Sequence, residues 1–295
     1  MTDGNPVRWS AELVLDARAE LGEAPHWDSE TSELVWVDIT PGVVHRLDPL
    51  RRVDRSFEVG QPVGAAVPRV GGGYVLALRD GIGVVDGSVG GSLRWLAALE
   101  RESRRTRMND GACDAEGRLW AGTMDVEERE PIGALYRLAP TGEVRTMLTG
   151  VTVSNGLGWS PDGRVFYYID SPHSAVEAFD FDARCGTIGN RRELCAIEPP
   201  AGEPDGLTVD AEGCVWVALW GGWSIRRYTP QGRLVGLVDV PAARVTSCTF
   251  GGAELDTLYV TTARPDVPDA RQPHAGGVFG VRPGSRGLPA HRFAG

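Results

Sequence analysis

Six apolar runs recur along the chain, and each contains an aromatic residue among small and branched apolar side chains. The aromatic positions are Trp36, Tyr74, Trp120, Phe166, Trp216 and Tyr259. Successive positions are 38, 46, 46, 50 and 43 residues apart. Short runs of valine, isoleucine and aromatic residues are typical of buried β-strands. The spacing therefore predicts a structural repeat of about 40 to 50 residues.

A turn rich in aspartate, glycine, glutamate and serine precedes most of these runs. Examples are CDAEGR before Trp120, SPDGR before Phe166 and VDAEGC before Trp216. Alternating positions on either side of such turns indicate a β-hairpin, and the β-rich stretches that follow leave room for four antiparallel strands in each repeat. The sequence thus predicts an all-β fold, a six-bladed β-propeller with four-stranded antiparallel blades, formed by residues 1–295 as a single domain. A two-sheet sandwich would not account for six similar units.

Polar residues occupy one equivalent position before these hairpins. Asn109, Asn155 and Asp205 each lie eleven residues before their aromatic residue. Glu23 and Thr246 lie thirteen residues before theirs, where the turn is two residues longer. The position is the start of the first strand of each unit, which in a propeller lines the central channel. Because radial symmetry brings equivalent positions together, we expect these side chains to meet near the axis.

Two carboxylates and an amide oxygen that converge in this way form a ligand set for a cation. Uncompensated buried carboxylates are costly, and oxygen ligands suit Ca²⁺, Mg²⁺ or Mn²⁺, with Zn²⁺ permitted by a suitable geometry. We therefore expect one divalent metal ion on Glu23, Asn155 and Asp205. The alternative is that these side chains only hydrogen-bond water at the mouth of the channel.

The same segments resemble the regucalcin and gluconolactonase family of sugar-lactone hydrolases. The matching motifs follow one another over nearly the whole chain. They are LGEAPHW (21–27), TRMNDGACDAEGRLWAGTM (106–124), GALYRL (133–138), VSNGLGWSPDGRVFYYIDS (153–171), PDGLTVDAEG (204–213) and TSCTFGGAELDTLYVTTAR (246–264). The resemblance implies a six-bladed propeller with one divalent metal held by a Glu, an Asn and an Asp, which here match Glu23, Asn155 and Asp205.

The resemblance also implies roles in substrate binding and catalysis. Arg107 and Asn109 match residues that contact sugar hydroxyls, and Glu127, in the loop after AGTM, is expected to do the same. This loop is shorter than in some relatives, so Glu128 or Glu130 can take the place of Glu127. Asp205 matches the residue beside the attacking water and is the expected general base.

Composition narrows the function classes. All 30 basic residues are arginine, which excludes Schiff-base aldolases, pyridoxal-phosphate enzymes and Walker-type phosphate loops, because each needs a lysine amine. A formal net charge of -10 disfavours nucleic acid and anionic membranes as partners. The sequence contains neither an apolar run long enough to span a bilayer nor a secretory signal pattern at its start. We therefore expect a cytoplasmic protein, of unknown oligomeric state.

The leading hypothesis is a metal-dependent hydrolase that opens a sugar 1,4- or 1,5-lactone, with the metal acting as Lewis acid or lowering the pKa of a bound water. The same ligands also suit a non-catalytic calcium-binding regulatory protein, or a promiscuous organophosphate or aryl-ester hydrolase. Trp220 and Trp223 fit either packing between units, the plainer role, or contact with a sugar face.

Overall fold

The computed structural model describes residues 5–86, 91–100, 103–266 and 268–295. Regular structure in these ranges consists of 25 β-strands and two short 3-10 turns, Ser171–His173 and Pro199–Ala201. No α-helix occurs among these residues, which confirms the all-β prediction. In the same ranges, therefore, no helix is long and apolar enough to cross a membrane.

The strands form antiparallel units of four, and each unit is named here after its first strand. Two strands, β1 (Val7–Ser10) and β2 (Glu12–Leu15), precede the first unit. Four units are separate sheets in which consecutive strands pair. They are β3–β6 (Gly22–Asp28, Glu33–Asp38, Val43–Asp48, Val53–Glu58), β7–β10 (Val63–Pro68, Tyr74–Leu78, Gly81–Val85, Arg94–Ala98), β11–β14 (Thr106–Cys113, Leu119–Asp125, Gly133–Leu138, Val144–Val151) and β15–β18 (Ser154–Trp159, Val165–Asp170, Ala175–Asp182, Thr187–Ala196).

The remaining strands form a nine-stranded sheet that contains two further units, joined through the pair Trp220 and Arg244. In the β19 unit, β1 adds in parallel to the fourth strand. In the β23 unit, β2 from the start of the chain pairs antiparallel with β25 as the fourth strand. The strands are β19–β22 (Glu203–Val209, Val215–Trp220, Ser224–Tyr228, Leu234–Asp239) and β23–β25 (Arg244–Gly251, Thr257–Ala263, Val278–Val281).

The first strands of the units contact one another in a closed ring. β3 contacts β7, and the order continues through β11, β15, β19 and β23 back to β3. Where β23 meets β3, Thr246 Oγ1 donates to Gly22 O at 2.5 Å, so this hydroxyl links neighbouring units. This arrangement is propeller-like, because every first strand lies next to the central axis.

The six aromatic residues of the repeat all lie on the second strand of their unit. Trp36, Trp120, Phe166 and Trp216 are fully buried, and Tyr74 and Tyr259 are nearly so. Each aromatic side chain therefore packs in the interior of its unit, as the spacing predicts.

An aspartate in the hairpin before the aromatic residue organises two of the units. Asp210 Oδ1 accepts hydrogen bonds from the backbone N–H groups of Glu212 and Cys214, both at 2.9 Å. Asp210 Oδ2 accepts from Trp216 Nε1 at 2.9 Å and from Arg227 at 2.7 Å. In the β11 unit, Asp114 makes the corresponding bonds to its turn, to an arginine and to an indole. The DAEG turn thus fixes both the hairpin and the buried tryptophan.

The last part of the chain connects two strands of the β23 unit and then contacts two other units. The Pro-rich segment after Ala263 connects β24 to β25, and residue 267 within it lies outside the described residues. Near the C-terminus, Phe293 is buried and its N–H donates to Pro68 O in the β7 unit. Ala294 N then donates to Gly117 O in the β11 unit.

We expect Asp210→Ala to lower the free energy of unfolding by about 3 kcal/mol, because it leaves buried donors of the hairpin, the indole and Arg227 without an acceptor. Glu212→Ala is the matched control, since it removes an exposed carboxylate that also pairs with Arg227. Exposed pairs contribute little, so the control is expected to cost less than about 1 kcal/mol. Urea unfolding measures the free energy of unfolding of both variants. An equal loss of stability in the two would contradict the structural role of Asp210.

Candidate functional site

The first strand of every unit has a β-bulge at the position of the predicted polar ring. The register of pairing with the second strand shifts between Glu23 and His26, Val63 and Ala65, Met108 and Asp110, Ser154 and Leu157, Pro204 and Leu207, and Val245 and Ser247. A bulge breaks the alternation of side chains along a strand and redirects one of them. The polar residues therefore occupy an irregular stretch of backbone, which the ring of first strands repeats six times.

Glu23, Asn155 and Asp205 line one cavity of about 410 Å³. Each of the three side chains is buried. Arg107 and Asn109 line the same cavity. The structure thus brings together five of the six residues predicted for the site.

Glycines allow the first strands to approach one another at this level. A Cβ on Gly156, the residue after Asn155, would lie 2.5 Å from Leu207 N and 2.8 Å from Asp205 O. A Cβ on Gly64, at the bulge of β7, would lie 2.7 Å from Asn109 O. The β7 unit therefore contributes no polar side chain to the ring, and its glycine instead leaves room for the backbone of Asn109.

Glu23 and Asp205 are neighbouring buried carboxyl groups with raised pKa values. Burial, and then repulsion by Asp110, raises the pKa of Glu23 to about 8. Burial followed by repulsion from Glu23 and Asp110 raises the pKa of Asp205 well above its ordinary range. Burial raises the pKa of Asp110 itself to about 6. Arg107 lies near Glu23 and Asp205 and is the counter-charge available to them. Ionising all three acids would place like charges close together, and a bound cation would offset this cost.

The donor set also fits a divalent cation. Asn155 Nδ2 donates to Ser171 Oγ at 2.8 Å, so its amide has a fixed orientation. Asn155 Oδ1 accepts from Asn109 Nδ2 at 3.0 Å and, with two lone pairs, retains one for a metal. Together with carboxylate oxygens of Glu23 and Asp205, this amide oxygen forms a hard, oxygen-only ligand set of the kind preferred by Ca²⁺, Mg²⁺ and Mn²⁺.

Arg107 and Asn109 form one wall of the cavity. Arg107 Nη1 donates to Asn109 Oδ1 at 2.6 Å and to Met108 O at 3.1 Å. Within the described residues, Nε and Nη2 of Arg107 have no protein acceptor. Burial lowers the pKa of this guanidinium, although nearby acids, Glu128 first, oppose the shift. Two directions of the guanidinium fork therefore remain available to a polar ligand.

Of the glutamates in the loop after β12, Glu128 lines the cavity and Glu127 does not. Asp125 accepts hydrogen bonds from Glu127 N, Arg129 N and Glu130 N, and so folds the loop back on itself. Glu128 then adopts a left-handed backbone conformation, with φ 57°. Glu127 is exposed and pairs with Arg129 at 3.3 Å, while Glu130 is exposed and pairs with Arg105. Glu128, one of the two named alternatives, is therefore the glutamate that lines this cavity.

Sequence reasoning did not identify two polar residues beside the predicted set. Ser171 accepts from Asn155 and donates to Pro204 O at 2.7 Å, so it orients the amide. Asp110 follows the ring residue Asn109 on β11. At the equivalent position, β15 has a glycine after Asn155 and β19 has a glycine after Asp205. A charged residue at a repeat position otherwise held by small residues was the signal that the sequence offered for Asp110.

Two other features of the described residues could be mistaken for this site. Asp210, Glu212 and Cys214 lie close enough to share a metal ion, but four protein donors already saturate the Asp210 carboxylate. A second cavity, of about 350 Å³, is lined by Asp110 and by residues further along the first strands, such as Leu157 and Cys248. Its lining is mainly apolar, and the three converging ligand residues are not part of it.

Fold and site together define a propeller-like all-β protein with a carboxylate and amide pocket at its ring of first strands. Residues 21–264 match the family described as SMP-30/Gluconolactonase/LRE-like region. The chain belongs to this family.

Individual relatives match over nearly their whole length. Regucalcin of Danio rerio is 40% identical over 291 residues, which cover 96% of this chain and 98% of the relative. A second relative is YvrE of Bacillus subtilis (strain 168), which is named as a sugar lactone lactonase. It is 35% identical over 289 residues, which cover 97% of this chain and 99% of the relative. The solved structure of an Agrobacterium tumefaciens regucalcin, described as a calcium-binding protein, superposes with a TM-score of 0.92 at 26% identity, covering 98% of this chain and 99% of that one.

The raised pKa values predict how the stability of metal-free protein depends on pH. Folded Glu23 holds its proton up to about pH 8, whereas in the unfolded chain the group ionises near its ordinary value of 4.5. The folded state therefore binds more protons in this window, and stability is highest below it and falls as pH rises. With EDTA, we expect the melting temperature to drop by roughly 5 °C between pH 5 and pH 8.

Calorimetry on Glu23→Gln checks this expectation, because the variant should lose much of the pH dependence. Glu127→Gln, which removes an exposed carboxylate outside the cavity, serves as the control and should keep it. Adding a divalent cation at pH 8 should restore the melting temperature of the unmodified protein. An identical pH dependence in all three proteins would show that the buried acids do not repel each other as described.

Proposed function

We propose that this chain is a six-bladed β-propeller and a metal-dependent hydrolase that opens a sugar 1,4- or 1,5-lactone to its aldonic acid. The observation that carries the proposal is the shared cavity, in which two buried carboxyl groups and an amide lie beside Arg107 and Asn109. Membership of the family and a relative named for lactone hydrolysis support it. The closed ring of six first strands supports the number of blades.

Glu23, Asn155 and Asp205 are the proposed ligands of one divalent metal ion. When bound, such an ion supplies Lewis-acid stabilisation of the negative charge that develops on the lactone carbonyl oxygen. Calcium is the first candidate, because the ligands are all oxygen atoms and the Agrobacterium relative is described as calcium-binding. Zinc, manganese and magnesium remain candidates to be tested with the same protein.

Asp205 is the proposed general base. Without a metal, burial next to Glu23 raises the pKa of Asp205 and favours its protonated form. A bound cation would favour the ionised form, and this carboxylate would then accept a proton from the water that attacks the lactone carbonyl carbon. As the bond between this carbon and the ring oxygen breaks, the proton passes to the ring oxygen, which becomes a hydroxyl group of the aldonic acid. Water is thereby added across the ester bond, and Asp205 returns to its starting state.

Arg107, Asn109 and Glu128 are the proposed contacts to the sugar hydroxyl groups. Arg107 offers donors that have no acceptor in the described protein, and Glu128 offers carboxylate acceptors at the same cavity. A site with such groups favours polyhydroxylated lactones over plain alkyl lactones, because an alkyl lactone would leave them without a partner.

Asp205→Asn is expected to lower kcat for glucono-1,5-lactone by about a thousandfold, since it removes both the proposed base and a charged ligand. Proton release at constant pH, with and without added metal, measures the rate after subtraction of spontaneous hydrolysis. Activity of the variant within a factor of about two of the unmodified protein would reject Asp205 as base and ligand.

Glu128→Gln and Glu127→Gln form a matched pair in one loop. We expect Glu128→Gln to raise KM for aldonolactones about fivefold, because a charged acceptor of a substrate hydroxyl is lost. Glu127→Gln, at an exposed position, should leave KM and kcat unchanged. The reverse result would assign the role to Glu127, as the sequence resemblance first indicated.

A non-catalytic calcium-binding role is the second candidate, supported by the description of the Agrobacterium relative. Calorimetric titration with Ca²⁺ separates the two candidates. Tight binding that depends on Glu23 and Asp205, with no turnover of any aldonolactone, would favour this second role.

The partner in this proposal is a small sugar lactone, and the proposed location is the cytoplasm. A net charge of -10 supports the exclusion of nucleic acid and anionic membrane surfaces, which repel an acidic protein. Cell fractionation with a specific antibody tests the location.

A further inference from the structure

Trp220 is an aromatic residue at the cavity that the proposed mechanism does not use. It is the last residue of β20, is half-buried, and lines the same cavity as Glu23 and Asp205. Its unit is separated from the β11 unit of Arg107 by the β15 unit that contributes Asn155. Trp220 therefore lies on a different side of the cavity from the polar wall of Arg107 and Asn109.

The indole is held by an arginine from the neighbouring unit. Arg244 Cζ lies 4.9 Å from the centroid of the Trp220 ring, a cation–π contact. Arg244 Nη2 donates to Asp266 Oδ2 and Nη1 donates to Arg264 O, both at 2.9 Å. Trp220 and Arg244 are also paired residues of β20 and β23, where the two units join. The indole of Trp220 is thus held by the strand pairing of its backbone and by Arg244 on one face of the aromatic ring.

A fixed indole at a polar cavity is suited to a ring that is polar at its edge and apolar on its face. A sugar lactone has this character, because its hydroxyl groups point outward while its ring carbon–hydrogen bonds form an apolar patch. Contact between such a patch and an aromatic face removes apolar surface from water without leaving hydroxyl groups unpaired. Trp223, three residues later, does not line the cavity, so we expect no contact between its indole and a ligand bound there.

We propose that Trp220 is a specificity-determining residue that packs against the carbon–hydrogen face of the sugar-lactone ring, with Arg244 as its positioning residue. This inference rests on the proposed lactonase function and narrows its substrate class to lactones whose ring and side carbons cover the indole. A six-carbon aldonolactone gains most from this contact, and a small unsubstituted lactone such as γ-butyrolactone gains little, because it covers less of the ring.

The test compares Trp220→Leu, Trp220→Phe, Arg244→Met and the control Trp223→Phe. For glucono-1,5-lactone we expect Trp220→Leu to raise KM about tenfold while kcat changes less than twofold, because the contact is remote from the reacting bond. For γ-butyrolactone the change in kcat/KM should stay below about twofold. Trp220→Phe and Arg244→Met should give intermediate KM values, and Trp223→Phe should give none of these effects.

Ligand binding gives a second readout that does not depend on turnover. Titration with gluconate, the reaction product, should change the tryptophan fluorescence of the unmodified protein and of Trp223→Phe, but much less that of Trp220→Phe. If Trp220→Leu does not fold, this titration with Trp220→Phe decides the question. The proposed role of Trp220 would be overturned if kcat/KM fell equally for both lactones, if only kcat fell, or if KM stayed unchanged.

Failure of the inference can be told apart from failure of the proposed function. If Asp205→Asn abolishes lactone hydrolysis while Trp220→Leu leaves KM unchanged, the lactonase stands and the inference is wrong. If the unmodified protein neither hydrolyses lactones nor binds gluconate, both are wrong.

Discussion

The site depends on how closely six first strands can approach a common axis. Each first strand contacts the first strands of the two neighbouring units, and each has a bulge at the same level. Side chains at this level are directed inward by the bulge, and the next residue must be small where the neighbouring backbone is near, as at Gly156. Because all units share the constraint, one polar residue from each of four units, Glu23, Asn109, Asn155 and Asp205, suffices to build a pocket from strands far apart in sequence.

Charge at this level has a cost for the fold. Glu23, Asp205 and Asp110 are buried close together, and Arg107, which is half-buried, is the counter-charge near Glu23 and Asp205. A hydrogen-bonded row from Arg107 through Asn109 and Asn155 to Ser171 holds the uncharged groups in place around them. The hydrogen-bonded row thus holds one wall of the open cavity that Glu23 and Asp205 also line.

Much of this arrangement follows from spacing alone. Counting eleven or thirteen residues back from an aromatic residue identified Glu23, Asn155 and Asp205, because radial repetition converts sequence spacing into proximity. Spacing did not decide between Glu127 and Glu128, since that depends on how Asp125 folds a loop outside the repeat. The pairing of Trp220 with Arg244 was also beyond sequence reasoning, because it joins two units across a sheet edge. The sequence therefore predicted what the repeat dictates and missed what individual loops and edges add.

The strand β2, which completes the β23 unit by pairing with β25, has a consequence for folding. Its partner lies more than 260 residues later in the chain, so this pairing must wait until β25 has been synthesised. Contacts of such long sequence separation are slow to form, because the entropy of closing the intervening loop is lost before the contact stabilises the chain. Until then β2 has no partner strand, and β25 has an open edge until β2 pairs with it; edges of this kind are prone to intermolecular pairing. Ring closure is therefore expected to be the late, concentration-sensitive step in folding of this protein.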